Sequence, residues 1–208
     1  ASPRLLARFY YGDGTGDIAM ENRNRAAIIL AAGQGSRMKS KRAKVLHKVA
    51  GLELVRHAVR SVREAEFDQV YVVVGHQGDS VRQVLADVTC VEQAEQLGTG
   101  HAVEQCREAL SSFAGSVLVT YGDTPLFRGS TFKELVAYHE DAGAAATVIT
   151  ARLDDPTGYG RIVRDAAGNV TAIVEHKDAN PSQLEINEIN TGTYCFDSKL
   201  LFKYLTQI

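Results

Sequence analysis

Short runs of consecutive apolar residues alternate along the first 150 positions with segments in which apolar residues recur every three or four places. Ala26-Ala27-Ile28-Ile29-Leu30 is the first run. Apolar at every position, it predicts a strand buried on both faces, as in a parallel sheet. Val70–Val74, Val88–Val91, Val117–Thr120 and Ala145–Ala151 predict further strands. Between them, Leu54, Val55, Ala58, Val59 and Val62 lie at helical spacing. So do Val81, Val84 and Leu85, then Ala102, Val103, Cys106, Ala109 and Leu110, then Phe132, Leu135, Val136 and His139. Strand and helix therefore alternate, which predicts an α/β fold with a doubly wound, mainly parallel sheet and right-handed crossovers.

The pattern changes after Ala151. Asp155-Pro156-Thr157-Gly158-Tyr159-Gly160 is rich in turn formers. Arg161–Arg164 and Val170–Glu175 read as two strands around a turn at Gly168-Asn169. A polar loop, His176–Gln183, precedes a last strand, Thr193–Phe196, and an amphipathic helix that begins at Ser198.

A formal net charge of −2 argues against broad binding of nucleic acid or an anionic membrane. It leaves room for a local basic site. The three cysteines, Cys90, Cys106 and Cys195, are odd in number and show no zinc or C-x-x-C spacing, so free thiols in a reducing, cytoplasmic compartment are expected. None of the six histidines has paired ligand spacing. No apolar run approaches the ~20 residues that span a bilayer. Residues 1–19 read as a leader or added extension ahead of a domain over 20–208, with Met20 as a possible natural start.

The first strand delivers Leu30-Ala31-Ala32-Gly33-Gln34-Gly35-Ser36-Arg37-Met38 to the carboxyl edge of the sheet, where open α/β sheets bind ligands. Small residues let successive backbone N–H groups approach a phosphate chain. Arg37 and Lys44 are suited to neutralising it. The spacing excludes a Walker A loop, and Met38 stands where a dinucleotide fingerprint has its third glycine. Taken alone, Gly33 and Gly35 are equally consistent with a tight turn, and Lys39, Lys41, Arg42, Lys44 and Lys48 with a solvated loop.

Leu30-Ala-Ala-Gly-x-Gly-Ser-Arg-Met with Lys44-Val45-Leu46-His47 and Ala50-Gly51 resembles the signature of sugar nucleotidyltransferases. Four later stretches agree in order: Gln93–Ala102, Tyr121–Leu126, Asp155–Ile162, and Glu175–Ala179 with Glu188–Gly192. Over residues 26–208 the chain is similar to the bacterial N-acetylglucosamine-1-phosphate uridyltransferases. The resemblance implies a Rossmann-like nucleotidyltransferase fold with a small β-rich sugar-binding part. It implies a reaction in which N-acetylglucosamine 1-phosphate attacks the α-phosphorus of UTP, with Mg²⁺ as cofactor, giving UDP-N-acetylglucosamine and pyrophosphate for cell-wall peptidoglycan and lipopolysaccharide synthesis. By the same resemblance Arg37, Lys44 and Asp123 are the catalytic set, with Asp123 the metal ligand. Leu30, Ala31, Ala32, Gly33, Gly35, Gln93, Gly98 and Thr99 hold the nucleotide, and Tyr121, Gly122, Gly160, Glu175, Asn190 and Thr191 hold the sugar. Three of them have a plainer alternative: Asp123 closing the turn before Pro125, Thr99 capping a helix over 98–110, Glu175 as an exposed charge.

Two features depart from that pattern. Ala43 stands where the family has proline, so Lys44 is expected on a looser loop. In the family a second metal ligand, an asparagine, and a β-helix acetyltransferase domain, through which full-length members form trimers, follow the region corresponding to this chain, so the resemblance implies a domain incomplete at its C-terminus. Competing readings are another sugar-1-phosphate nucleotidyltransferase or a non-catalytic nucleotide-sugar binding fragment.

Overall fold

Strand β2 (Arg25–Ala31) lies at the centre of the sheet and shows why its sequence is apolar throughout. Ala27, Ile29 and Ala31 face one core, and Ala26, Ile28 and Leu30 face the other. Alternate side chains leave a strand on opposite faces, so a strand with helices on both sides has no polar face. The computed structural model describes the backbone of residues 5–9 and the whole of residues 24–33, 40, 42–75 and 78–207.

β5 (Gln69–Val74) and β7 (Ser116–Tyr121) flank β2 in parallel, and β6 (Thr89–Glu92) lies parallel beyond β5. The parallel part therefore reads β6-β5-β2-β7. Chain order reverses between β2 and β7, which opens a crevice at their carboxyl ends. Helices α1 (Leu54–Glu64), α2 (Gly78–Val84) and α4 (Gly129–Asp141) pack on one face through Val55, Val59, Val81, Phe132 and Leu135. Short α3 (Thr99–Glu104) and α6 (Ser198–Leu205) cover the other through Ala102, Val103, Leu201 and Phe202. Each fully buried aliphatic side chain of this kind contributes roughly 1.5–3 kcal/mol.

Beyond β7 the sheet is mixed. β11 (Glu188–Asp197) runs antiparallel between β7 and β8 (Ala146–Arg152), and β1 (Leu5–Phe9), from the segment read as a leader, pairs antiparallel with β8. β9 (Arg161–Arg164) and β10 (Val170–Val174) form the expected hairpin, and β9 meets β11 at Arg161 and Ile189. A small hairpin, β3 (Lys48–Val49) and β4 (Leu52–Glu53), turns through Ala50 and Gly51, both at positive φ. The expected helix over 98–110 is shorter, although Cys106 and Leu110 remain buried past its end. The polar loop contains α5 (Pro181–Leu184), started by a capping box in which Asn180 and Gln183 bond each other's backbone. The three cysteines are unpaired thiols, and Cys106 and Cys195 are buried. Among the described residues no helix is long and apolar enough to cross a membrane.

Candidate functional site

The crevice at the switch point is a cleft of about 540 Å³. Leu30, Ala31, Ala32 and Gly33, at the end of β2, form one wall. Gln93, Gln96, Gly98, Thr99 and Ala102 follow β6, and Tyr121 and Asp123 follow β7. Lys44 and Val45 close it from the α1 side. Seven of the expected nucleotide and catalytic positions other than Asp123 and Ala32 thus share one cavity with them. Gly35 and Arg37 lie outside the described residues.

Local structure explains how each group is aimed. Lys44 begins a 3₁₀ turn, Lys44–Leu46, whose Val45 and Leu46 are buried against the core. The apolar pair pins the turn, and the lysine ammonium meets the Asp123 carboxylate in an ion pair. Asp123 does not serve as the turn-former before Pro125: Thr124 donates its hydroxyl hydrogen to the Tyr121 carbonyl at 2.9 Å. Gly98 occupies the N-cap of α3 at φ +110°, so Thr99 is the first helical residue and not the cap. That backbone conformation favours glycine.

Gln93 is 3% exposed, and its amide nitrogen faces the Gly98 carbonyl at 3.1 Å and His101 Nδ1 at 3.0 Å. Gln96, absent from the sequence-based site, donates to the Ala32 carbonyl at 2.7 Å and ties the β6 side of the cleft to β2. It sits inside a motif already singled out, but nothing in the local pattern says which way its side chain turns.

The residues expected on the sugar side form a second group, joined to the cleft by Tyr121. Asn190 N–H donates to the Gly160 carbonyl at 2.9 Å, and a β-carbon on Gly160 would lie 3.2 Å from Glu175 Oε1. β11 bulges between Asn190 and Tyr194, with Gly192 at φ +77° inside the bulge. Bulges re-aim side chains beside sites. Here the bulge brings Gly192 against the Tyr121 ring, where an added β-carbon would lie 2.5 Å from Cε2. Asn190 Oδ1 accepts the Gly192 N–H at 2.8 Å.

Two sugar-side positions have structural duties. Thr191 donates its hydroxyl hydrogen to the Ile149 carbonyl at 2.7 Å and accepts the Thr193 N–H at 3.3 Å. Gly122 is buried, donates its N–H to the Leu30 carbonyl at 2.9 Å, and has Val55 and Val45 where a side chain would be. Tyr194 was not legible as a site residue. Burial pushes its phenol up to about 12, against a hydrogen bond with Asn190, and Tyr121 and Glu175 lie close enough to add to the rise. Its hydroxyl therefore belongs to the same polar group.

Arg161 braces this side. It is 1% exposed, and its guanidinium donates to the carbonyls of Pro156 (2.7 Å) and Tyr159 and faces His176 Nδ1 at 3.3 Å. The buried guanidinium fixes the Asp155–Gly160 turn by bonding two of its carbonyls at once. Among the described residues no three His, Cys, Asp or Glu side chains gather as a metal cage.

Residues 27–181 match the model of the MobA-like NTP transferase domain. The chain is 52% identical over 186 residues to a protein from Bacillus mycoides (strain KBAB4) described as "Bifunctional protein GlmU", covering 89% of this chain and 40% of that protein. Proteins of the same description from Halalkalibacterium halodurans (52% over 186 residues, 89% and 41%) and Shouchella clausii (52% over 185 residues, 88% and 41%) are equally similar. The chain thus spans about two-fifths of the length of these curated relatives.

Proposed function

Because the chain belongs to the MobA-like NTP transferase family, we propose that it is a sugar-1-phosphate nucleotidyltransferase that forms UDP-N-acetylglucosamine and pyrophosphate from UTP and N-acetylglucosamine 1-phosphate. The observation that carries this reading is the convergence of the β2 end, Gln93, Gly98, Thr99, Lys44 and Asp123 on one cleft at the switch point. The similarity to the GlmU proteins supports the choice of uridine and of this sugar. It also supports a cytoplasmic setting and a product used in the cell envelope.

The reaction needs no protein nucleophile. A phosphate oxygen of the sugar phosphate attacks the α-phosphorus of UTP, the bond to the bridging oxygen breaks, and pyrophosphate leaves with the electron pair. The residues present act by positioning and charge neutralisation. Gly33 gives the triphosphate a wall open to close approach, since no described residue lies within 4 Å of where its β-carbon would be. Lys44 supplies a point charge on leaving its pairing with Asp123. Glu175, Asn190 and Tyr194 offer the sugar hydroxyls and acetamido group their polar partners.

Mg²⁺ fits this donor set. It takes few protein oxygens and completes its shell with phosphates and water, so the Asp123 carboxylate at the strand end would serve as one protein anchor. Bound there, the ion would neutralise charge on the phosphate oxygens.

The test is UTP-dependent pyrophosphate release with N-acetylglucosamine 1-phosphate, with and without Mg²⁺. Magnesium-dependent release is expected, reduced on the order of 10²–10³-fold in Asp123→Ala, the scale of losing a preorganised charge. Binding of UDP-N-acetylglucosamine without any turnover would overturn the catalytic reading and leave a recognition module.

A further inference from the structure

We propose that His101 is a base-specificity positioning residue: through its ring Nδ1 it holds the Gln93 amide so that only an acceptor oxygen is presented to the nucleobase. The inference rests on the cleft being a uridine triphosphate site.

The orientation follows from counting hydrogens. The Gln93 amide end assigned as nitrogen lies 3.1 Å from the Gly98 carbonyl, where only a donor is stable. That group carries two hydrogens. One is taken by Gly98. The other points at His101 Nδ1, 3.0 Å away. If Nδ1 is bare, both donors are satisfied and Oε1 is what remains for the cleft. If Nδ1 carries a proton, two donors confront each other. Either orientation of the Gln93 amide then carries one mismatch, against Nδ1–H as it stands or against the Gly98 carbonyl when turned over, and its oxygen is no longer held toward the base.

The other side of the imidazole makes this a choice between tautomers. His101 Nε2 lies 3.1 Å from the amide nitrogen of Gln105, which also donates to the His101 carbonyl at 3.1 Å. A neutral imidazole accepts at one nitrogen only. It stands between two amide nitrogens and can satisfy one. Gln93 is 3% exposed, so a mismatch there buries an unmet hydrogen. Gln105 is only half-buried, and water can take up the mismatch there. The buried side therefore decides: Nδ1 is bare and the proton sits on Nε2.

The consequence is selectivity. Uracil has N–H at ring position 3, and cytosine has a bare nitrogen there. An acceptor oxygen suits the first and repels the second. Neither His101 nor Gln105 is among the described residues that line the cleft.

The experiment compares binding of UTP and CTP to the full chain, for the wild type, His101→Phe and His101→Asn. Phenylalanine keeps the ring and loses the acceptor. Asparagine places an amide oxygen near the Nδ1 position. Wild type is expected to prefer UTP by at least about 10-fold, as a site with a dedicated polar partner does. His101→Phe is expected to lower that ratio, because only the Gly98 carbonyl then holds the amide nitrogen, and His101→Asn to retain most of it. Nitrogen-15 NMR of the wild type should show Nδ1 without a proton and Nε2 with one, a readout that a purely packing role leaves undetermined. Retention of the wild-type ratio in a folded His101→Phe chain, or a proton on Nδ1, overturns the proposal alone. A wild type that does not distinguish UTP from CTP overturns the uridine reading itself, and the proposal with it.

Discussion

Replacing Gly192 by alanine tests whether the β11 bulge is the part that seats Tyr121. Two costs are expected. Gly192 has φ +77°, a conformation that costs an L-residue about 1–2 kcal/mol. The new β-carbon would also lie 2.5 Å from Tyr121 Cε2 and 3.3 Å from its Cζ and hydroxyl, so the ring must move. Forcing extra volume into a packed site costs about 1–3 kcal/mol. Together this is about 2–5 kcal/mol, or roughly 4–20 °C in Tm for a domain of this size. Gly168→Ala isolates the first cost, because Gly168 has φ +87° and nothing within 4 Å of its missing β-carbon. The assay is thermal unfolding of both variants, with nucleotide and sugar-phosphate binding measured below the transition. Gly192→Ala should fall further than Gly168→Ala and should also weaken binding, since Tyr121 lines the cleft. Combined with Tyr121→Ala, it should lose the excess over Gly168→Ala. Equal stability losses for the two glycine variants, with binding unchanged, would refute the reasoning.

Ala43 has φ −53°, already within the range of a proline ring. Ala43→Pro should therefore raise stability by about 0.4–1 kcal/mol in chemical denaturation, and a loss would show that the turn before Lys44 is not preset. Burial lowers His139 from its ordinary 6.5 to about 4, against the opposing pull of Asp197 and Glu140. The unfolded chain takes up that proton first, so the stabilisation is complete above pH 6.5 and declines as pH falls toward about 4. The decline amounts to at most about 3 kcal/mol, and His139→Gln should flatten the stability curve between pH 7 and 4. Arg161→Met should cost roughly 1–3 kcal/mol by removing the charged donor that ties the Pro156 and Tyr159 carbonyls together. It should weaken sugar-phosphate binding more than UTP binding, and a uniform effect on both ligands would show that the Asp155–Gly160 turn is not part of the sugar side.

The parallel half of the sheet was legible because its signal is local. Ala26–Leu30 and Val70–Val74 are apolar at every position, and a strand covered on both faces admits little else. The strand-to-loop transition at Ala31-Ala32-Gly33 likewise marks a ligand edge before any fold is known. The helix expected over 98–110 ran too long because Cys106 and Leu110 are buried from turn-like backbone that keeps an apolar spacing after α3 ends. Whether Asp123 or Thr124 closes the turn before Pro125 was not legible locally, because either side chain can do so; in the fold Thr124 bonds the Tyr121 carbonyl and Asp123 meets Lys44 across the cleft.

The chain by itself determined the alternation of strands and helices, the β9–β10 hairpin and the motifs that line the cleft, because side-chain periodicity and turn chemistry act between near neighbours. Tertiary structure alone decided that β11 enters antiparallel between β7 and β8, that its bulge sets Gly192 against Tyr121, and that Lys44 pairs with Asp123. It also turned Thr191 and Gly122 toward the protein and brought Tyr194 and His101 to the site's edge. These contacts join segments far apart in sequence. Each depends on a register and a side-chain direction set by the packing of the whole sheet, which no local run of residues contains.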